Sequence, residues 1–266
     1  MVTFDDDLRL AHVLADAVER ATLQQFASSD LQVEVKDDGT LVTQTDRYVE
    51  ELLRHQLSRT RPRDVVQGEE LATTGHGNRR WVLDPIDGTV NYIRGVPVWA
   101  TLIGLIVDDS PVLGLVAAPA LARRWWAARG SGAWTGRTLS RAKRIHVADT
   151  SRVEHASLSY SDLDRWLTHP QRAGFLDLAS RCWRTRAYGD FLSHVLVAEG
   201  AVDIALDPHL DLHDMVALAP LVSEAGGRFT DLADNPGPFG TSAVTTNGTL
   251  HDDVLALLAG AAAARA

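Results

Sequence analysis

The chain has 266 residues, of which 45% are hydrophobic, and it carries a formal net charge of −9. This length predicts a globular protein with a sizeable core, and the acidic balance argues against a nucleic-acid-binding protein, which would usually carry a basic face. Cys182 is the only cysteine, so an intrachain disulfide is excluded, and no apolar run approaches the ~20 residues that a membrane span needs. We therefore expect a cytoplasmic protein with neither nucleic-acid nor membrane partners.

The first half of the chain predicts two helices followed by an antiparallel sheet. Apolar side chains recur at helical spacing in two segments, and short apolar runs separated by turn residues come after them. Residues 36–40 are rich in turn formers and predict a loop. The predicted helices cover residues 4–27 and 46–58, and the predicted strands cover residues 31–36, 81–83, 99–107, 112–118 and 124–128.

After about residue 146 the pattern changes to alternating strands and helices, which is typical of α/β layering. We therefore predict two halves: residues 1–145, with the N-terminal helices and the antiparallel sheet, and residues 146–266, with the α/β layers. The predicted strands of the second half cover residues 156–160, 184–188, 202–206, 228–232 and 242–246, and the predicted helices cover residues 171–181, 191–199, 214–225 and 250–258.

The segment with the most chemical information follows the short strand at 81–83. Asp84 and Asp87 stand three residues apart with Pro85 fixing the backbone between them, and Gly88 permits a close approach of the backbone to a ligand. Residues 89–93 can begin a helical turn whose free amides face an anion. Two carboxylates beside an anion-binding turn are typical of a hard-cation phosphate site. The spacing alone equally fits a solvated turn between strands.

Other acids in the chain have simple structural interpretations when each is taken alone. Glu69 and Glu70 lie in a predicted loop, Asp46 begins the second helix and Asp214 begins a later one. Acids at the first turn of a helix act as caps and interact favourably with the helix dipole without any metal. Their order along the chain is what gives them meaning.

That order resembles the inositol monophosphatase superfamily. The resemblance rests on Gly68-Glu69-Glu70, on Asp84-Pro85-Ile86-Asp87-Gly88-Thr89, and on Asp214 before Ser223-Glu224-Ala225-Gly226-Gly227, and it covers essentially the whole chain. It implies a layered α-β-α-β-α sandwich of mixed α/β class. It also implies a magnesium-dependent, lithium-sensitive phosphatase that acts on a small phosphomonoester and forms a homodimer.

The resemblance assigns metal ligands residue by residue. Glu69 and Asp84, with the carbonyl oxygen of Ile86, resemble the ligands of a first Mg²⁺ ion. Asp84, Asp87 and Asp214 resemble the ligands of a second. Two such ions supply a nucleophilic water and stabilise the leaving alkoxide in reactions of this type.

The same resemblance assigns the phosphate and water contacts. Gly88 and Thr89 would present backbone amides to the phosphate, and Asp46 with Thr89 would orient the attacking water. Glu69 is expected to take part in catalysis through its metal, and Glu70 is expected to lie nearby. The reaction needs little covalent protein chemistry, because positioning and charge stabilisation dominate phosphoryl transfer.

Within the superfamily the likeness is strongest to bacterial histidinol-phosphate phosphatases of this fold. It rests on residues 94–100, 118–121, 123–130 and 186–191. An inositol monophosphatase with a broad substrate range is the first alternative. A regulatory binding protein of the same fold is a remote one, which predicts the loss of a metal acid or a basic docking patch.

Three residues are candidates for recognising the substrate beyond its phosphate. Asp190 and Asp207 suit a cationic amine by Coulomb attraction, and Arg186 would hold phosphate or orient Asp190. A purely structural Arg186–Asp190 ion pair is the other interpretation. His213 stands where the family usually has Trp, so it is either a substrate contact or a neutral replacement that fills the space.

Overall fold

A computed structural model describes residues 3–37 and 39–260, so Asp38 of the predicted loop lies outside the described residues. Within these ranges there are nine α-helices and fourteen β-strands, and no helix is long and apolar enough to cross a membrane. The helices are α1 (Asp5–Gln25), α2 (Gln44–Thr60), α3 (Thr89–Ile93), α4 (Leu163–Thr168), α5 (Arg172–Arg181), α6 (Asp190–Ala198), α7 (Leu212–Val216), α8 (Leu218–Glu224) and α9 (His251–Leu258).

The strands form a two-stranded ribbon and two larger sheets. The strands are β1 (Val33–Val35), β2 (Leu41–Thr43), β3 (Val65–Gly68), β4 (Arg79–Asp87), β5 (Ala100–Val107), β6 (Ser110–Ala118), β7 (Arg123–Ala128), β8 (Gly132–Gly136), β9 (Lys143–Ile145), β10 (Ser157–Tyr160), β11 (Arg184–Arg186), β12 (Ile204–Asp207), β13 (Arg228–Thr230) and β14 (Ala243–Thr246).

The first large sheet runs β3-β4-β5-β6-β7-β8-β9. Its pairs are antiparallel, as predicted, except that β3 runs parallel to β4. Sequence reasoning missed β3, β8 and β9, which are only three to five residues long. Helices α1 and α2 pack on one face of this sheet through a core that includes Leu14, Leu53 and Trp81.

A second helical layer covers the other face of this sheet. Helices α6, α7 and α8 pack there through Phe191, Met215 and Leu218. In place of the single helix predicted over 214–225, two helices, α7 and α8, meet at Ala217, whose backbone keeps right-handed helical angles with φ of −74° and ψ of −31°. This junction lies so close to the sheet that a Cβ added to Gly114 would overlap the carbonyl oxygen of Ala217.

The second large sheet, in the order β11-β10-β12-β14-β13, lies beyond that helical layer. Strand β10 pairs in parallel with β11 and β12, and the remaining pairs are antiparallel. Helices α4, α5 and α9 pack on its outer face through Trp166, Phe175 and Val254. The predicted α-β-α-β-α sandwich is therefore confirmed.

The division into two halves at residues 145 and 146 stays a prediction. The seven-stranded sheet ends at Ile145 and the five-stranded sheet begins at Ser157. However, α7 and α8 belong to the second half of the chain and pack on β4, β5 and β6 of the first. This packing is what brings Asp214 beside the aspartates of β4.

Candidate active site

Asp84 and Asp87 lie at the carboxyl end of β4, where the pairing with β5 shifts. Asp84 is opposite Leu102 and Asp87 is opposite Ala100, so β4 contains one extra residue between these pairs. Residues three apart on a regular strand point to opposite faces, and one inserted residue restores them to the same face. The bulge therefore turns both carboxylates toward one site.

Three carboxylates converge at this bulge. The ligand atoms of Asp84, Asp87 and Asp214 lie within 4.8 Å of one another. Both carboxylate oxygens of Asp84 are buried without a hydrogen-bond partner in the described part of the chain. Burial, together with the nearby charge of Glu69, raises the pKa of Asp84 well above its usual value. Burial and the charge of Asp190 do the same for the pKa of Asp87.

Asp214 is positioned by the first turn of α7. Its Oδ2 accepts a hydrogen bond of 2.7 Å from the backbone N–H of Asp211, which closes a capping box. Oδ1 lies 3.4 Å from Nε2 of His213. The residue that replaces the family's Trp therefore contacts a predicted metal ligand. Its role toward substrate stays open between the two alternatives given above.

The loop after β3 carries Glu69 and Glu70, and Lys36 holds both. The Nζ atom of Lys36 lies 2.7 Å from Oε1 of Glu69 and 2.6 Å from Oε1 of Glu70. Burial alone would lower the pKa of Lys36, but these two hydrogen bonds outweigh it and raise the pKa. Glu69 is close enough to Asp84 for its charge to act on that residue, and its own carboxylate is paired with the ammonium group of Lys36.

A buried acid, Glu50 of α2, fixes the backbone of the same loop. Its carboxylate accepts hydrogen bonds from the N–H groups of Glu70 at 2.7 Å and Leu71 at 3.2 Å, and from Nε of Arg54 at 2.6 Å. A Cβ on Gly68 would overlap this carboxylate. Sequence reasoning missed Glu50. Its only signal was a Glu–Arg pair four residues apart, which is usually a surface feature of helices.

Asp46 and Thr89 meet next to the carbonyl oxygen of Ile86. Oδ2 of Asp46 accepts hydrogen bonds from the N–H and the hydroxyl of Thr43. The hydroxyl of Thr89 lies 3.5 Å from Oδ1 of Asp46 and 3.0 Å from the Ile86 oxygen. Burial raises the pKa of Asp46 to about 6. The structure thus brings together three residues to which the family resemblance assigns roles.

Asp190 lies at the start of α6, close to Gly88 and half-buried. Its Oδ2 accepts a hydrogen bond of 2.7 Å from the side-chain amide of Asn91, which sequence reasoning did not single out. Burial, together with the charge of Asp162, raises the pKa of Asp190 to about 6.

Arg186 and Asp207, the other predicted substrate residues, lie in different surroundings. Arg186 is exposed on β11 and donates to the carbonyl oxygen of Thr185, and no ion pair joins it to Asp190 among the described residues. Asp207 is buried at the end of β12, and burial raises its pKa well above the usual value. Nε2 of His194 lies 4.0 Å from Asp207.

The donor set of this site fits a hard divalent cation. Carboxylates at this spacing repel each other, and buried Asp84 has no hydrogen bond to offset the loss of water. A divalent cation removes both penalties, because oxygen ligands of this kind are what Mg²⁺ and similar ions take. Asp84, Asp87 and Asp214 are the residues best placed to hold one.

Comparison with known proteins places this geometry in context. The sequence matches the family described as inositol monophosphatase family over residues 6–263. It is 54% identical over 262 residues to a histidinol-phosphatase of Streptomyces coelicolor, covering 97% of this chain and 98% of the relative. It is 51% identical over 254 residues to a histidinol-phosphatase of Mycobacterium tuberculosis, covering 95% and 98%. The fold is similar to that of an IMPase from Thermotoga maritima, with a TM-score of 0.86 and 26% identity over 97% of this chain and 99% of that one.

Proposed function

The chain belongs to the inositol monophosphatase family, and on that premise we propose that it is a histidinol-phosphatase. It hydrolyses L-histidinol phosphate to L-histidinol and phosphate, a reaction of histidine biosynthesis. The observation that carries this proposal is the likeness, along nearly the whole chain, to two histidinol-phosphatases that are more than 50% identical to it. The solved structure of the IMPase from Thermotoga maritima supports the fold at a much lower identity.

The family is metal-dependent, and Mg²⁺ is the ion that we propose here. Glu69 and Asp84, with the carbonyl oxygen of Ile86, would hold a first ion, and Asp84, Asp87 and Asp214 would hold a second. All five are oxygen donors, which hard divalent cations prefer. When bound, such ions neutralise charge on a phosphate ester and make water more acidic. Nζ of Lys36 lies 2.7 Å from Oε1 of Glu69, and the second oxygen of this carboxylate is the one through which it would bind an ion.

Asp46 and Thr89 are proposed to orient the attacking water. The Thr89 hydroxyl lies between a carbonyl oxygen and the carboxylate of Asp46, so both its neighbours are acceptors. Water attacks phosphorus, the bond from phosphorus to the substrate oxygen breaks, and the alcohol leaves with a proton. Gly88 and Thr89 are proposed to hold the phosphate through their backbone amides, at the start of α3.

Carboxylates beyond the metal set favour a cationic substrate. Asp190 lies beside Gly88, and the charges of Asp162 and Asp214 act on it. The charges of Asp190, Asp214 and Asp162 act on buried Asp207. Histidinol phosphate carries an ammonium group, whereas inositol phosphate offers only neutral hydroxyls. An ammonium–carboxylate contact shielded from water is short and charge-assisted, so Asp190 is proposed to bind the amine.

The test compares histidinol phosphate with inositol 1-phosphate in the wild type and in Asp190→Asn. We expect the wild type to prefer histidinol phosphate, and the substitution to weaken its kcat/KM by about 1.5–3 kcal/mol, the scale of a hydrogen bond to a charged group. Hydrolysis of inositol 1-phosphate should change little. A wild type that prefers inositol 1-phosphate overturns the assignment, and an equal loss for both substrates makes Asp190 structural.

Three further points accompany this proposal. A chelator is expected to abolish turnover, and added Mg²⁺ to restore it. The regulatory alternative predicted the loss of a metal acid or a basic docking patch, and the metal acids Asp84, Asp87 and Asp214 are all present and converge. The homodimer and the cytoplasmic location remain predictions.

A further inference from the structure

Asn91 connects the phosphate-binding turn to the carboxylate proposed to bind the substrate amine. It lies on α3, two residues after Thr89. Its side-chain amide donates to Oδ2 of Asp190 at 2.7 Å and to the carbonyl oxygen of Val98 at 3.0 Å. One NH₂ group has two hydrogens, so both are used. The Asn91 side chain therefore ties α3 to the start of α6, 99 residues further along the chain.

Asp190 depends on this contact for its placement. Its backbone is left-handed, with φ of 47°, which is uncommon for a residue other than glycine. Arg186, the residue expected to orient it, points its guanidinium to the Thr185 carbonyl instead. In the described ranges, Asn91 supplies the only side-chain hydrogen bond to the Asp190 carboxylate, and that bond uses Oδ2. Oδ1 is left to accept from a ligand.

Gly88 leaves room for this arrangement. A Cβ on Gly88 would lie 3.2 Å from Oδ2 of Asp190 and 2.9 Å from the Val98 oxygen, the two acceptors of Asn91. The absent side chain thus lets the Asp190 carboxylate lie against the turn proposed to hold the phosphate.

The chemistry of the substrate explains why the Asp190 carboxylate and the phosphate turn need a fixed separation. In histidinol phosphate, the carbon that bears the ammonium is bonded directly to the carbon that bears the ester oxygen. The amine therefore stays close to the phosphate in every conformation. An acceptor for it must be tied to the phosphate turn itself, because small misplacements of a binding group are costly.

We propose that Asn91 is a positioning residue that holds the Asp190 carboxylate against the phosphate turn, at the distance that the 2-amino phosphate ester of the substrate requires. This inference rests on the proposed function. It predicts that Asn91 contributes to recognition of the ammonium group and not to hydrolysis of phosphate esters in general. If Asn91 served only to hold the 91–98 loop through its hydrogen bond to the Val98 carbonyl oxygen, its substitution would slow the hydrolysis of all phosphate esters equally.

The test uses a pair of substrates that differ only in the amine: histidinol phosphate and its deamino analogue, 3-(imidazol-4-yl)propyl phosphate. The variant is Asn91→Leu, which keeps the volume and removes both donors. We expect its kcat/KM for histidinol phosphate to fall about ten- to a hundredfold, the scale of a hydrogen bond to a charged group. The value for the deamino analogue should stay near that of the wild type. In Asp190→Asn, adding Asn91→Leu should produce no further selective loss.

Two further variants make the result decisive. Asn78→Leu is the matched control, because Asn78 donates a similar 2.6 Å hydrogen bond to Asp108 in a turn between strands of the sheet. It should leave the ratio of the two substrates unchanged. Asn91→Ser keeps a smaller donor and replaces Asn91→Leu if that variant does not fold.

The outcomes separate this inference from the function on which it rests. A wild type inactive on histidinol phosphate refutes the proposed function. A wild type that hydrolyses histidinol phosphate but does not distinguish the deamino analogue overturns the positioning role. Equal losses for both substrates in the Asn91 variants, or a further selective loss in the double variant, also overturn it.

Discussion

Glu50 offers a sharp test of how the loop that carries the proposed metal ligand Glu69 is held in place. The substitution is Glu50→Gln, which keeps the shape of the side chain and replaces one acceptor oxygen by a donor. All three partners of Glu50 are donors: the N–H groups of Glu70 and Leu71, and Nε of Arg54. The new NH₂ group must therefore face a donor, whichever way the amide turns.

The size of the effect follows from burial. Glu50 is fully buried and the Arg54 side chain is only 13% exposed. A lost hydrogen bond to a charged group costs about 1.5–3 kcal/mol, and removing one partner of a buried ion pair costs about 3–5 kcal/mol. Because Arg54 keeps neutral acceptors in the carbonyl oxygens of Val66 and Leu71, the two costs do not add in full. We therefore expect the free energy of unfolding to fall by about 3–5 kcal/mol. Substitution of a residue that supports a metal ligand typically weakens metal affinity by about 10–100-fold, and we expect a loss of this size for Mg²⁺ in Glu50→Gln.

Two measurements on metal-free protein check this expectation: the midpoint of urea unfolding and the calorimetric titration of Mg²⁺. Glu51→Gln is the matched control, since Glu51 follows Glu50 on the same helix and is exposed. The reasoning is refuted if Glu50→Gln matches Glu51→Gln in both measurements. Lower stability with normal Mg²⁺ affinity would leave Glu50 as a stabilising residue that does not position Glu69.

Three more predictions follow from the structure. Gly114→Ala should push the Ala217 junction off the sheet and displace Asp214, because the new Cβ would overlap the Ala217 carbonyl oxygen. We expect a loss of about 1–3 kcal/mol of stability, measured by urea unfolding, and weaker Mg²⁺ binding, measured by titration. Unchanged Mg²⁺ binding would contradict the packing argument. Burial raises the pKa of Asp46 from 3.8 to about 6, so this residue should contribute about 3 kcal/mol less stability to the metal-free protein at pH 7 than at pH 4. Urea melts of the wild type and of Asp46→Asn at both pH values isolate this contribution from that of buried His12, His194 and His251, whose lowered pKa values act in the opposite direction. A stability difference between the two proteins that is the same at both pH values would oppose it. Burial raises the pKa of Cys182 to about 12, so Cys182→Ser should keep most activity, and a phosphoryl group trapped on the enzyme would reject attack by water.

Much of the site was predictable because its ligands are close in sequence or follow a family order. Asp84, Asp87 and Gly88 stand together after one strand, and their spacing fitted a cation and phosphate site as well as it fitted a solvated turn, until the family order decided between them. Asp214 needed the resemblance, since nothing local distinguishes it from a helix cap. Its capping box confirms the helix cap, and its role as a metal ligand stays a prediction.

What could not be predicted depends on contacts between distant segments. The bulge in β4 is defined by its pairing with β5, so three-residue spacing left the facing of Asp84 and Asp87 undecided. Asn91 makes its contact with Asp190 only when α3 packs beside the start of α6. Glu50 makes its contact with the backbone of Glu70 only when α2 packs beside the loop after β3. The break at Ala217 had a signal that sequence reasoning passed over, because it comes three residues before Pro220, which cannot donate a backbone hydrogen bond to the carbonyl oxygen four residues earlier.

Because the carboxylates of Asp87 and Asp214 lie close together, a divalent cation bound to both would act as a reversible cross-link between two segments of the chain. The two residues are more than a hundred positions apart, and a divalent cation held by both closes the chain between them into a loop. Unlike a disulfide, which restricts the unfolded chain, such an ion leaves when the chain unfolds, so it stabilises the folded state by an amount that grows with the ion concentration relative to its Kd. With a single cysteine, this protein has no intrachain disulfide to serve that purpose. The concentration of free divalent cation would then set how long the chain persists against unfolding and proteolysis, independently of any substrate.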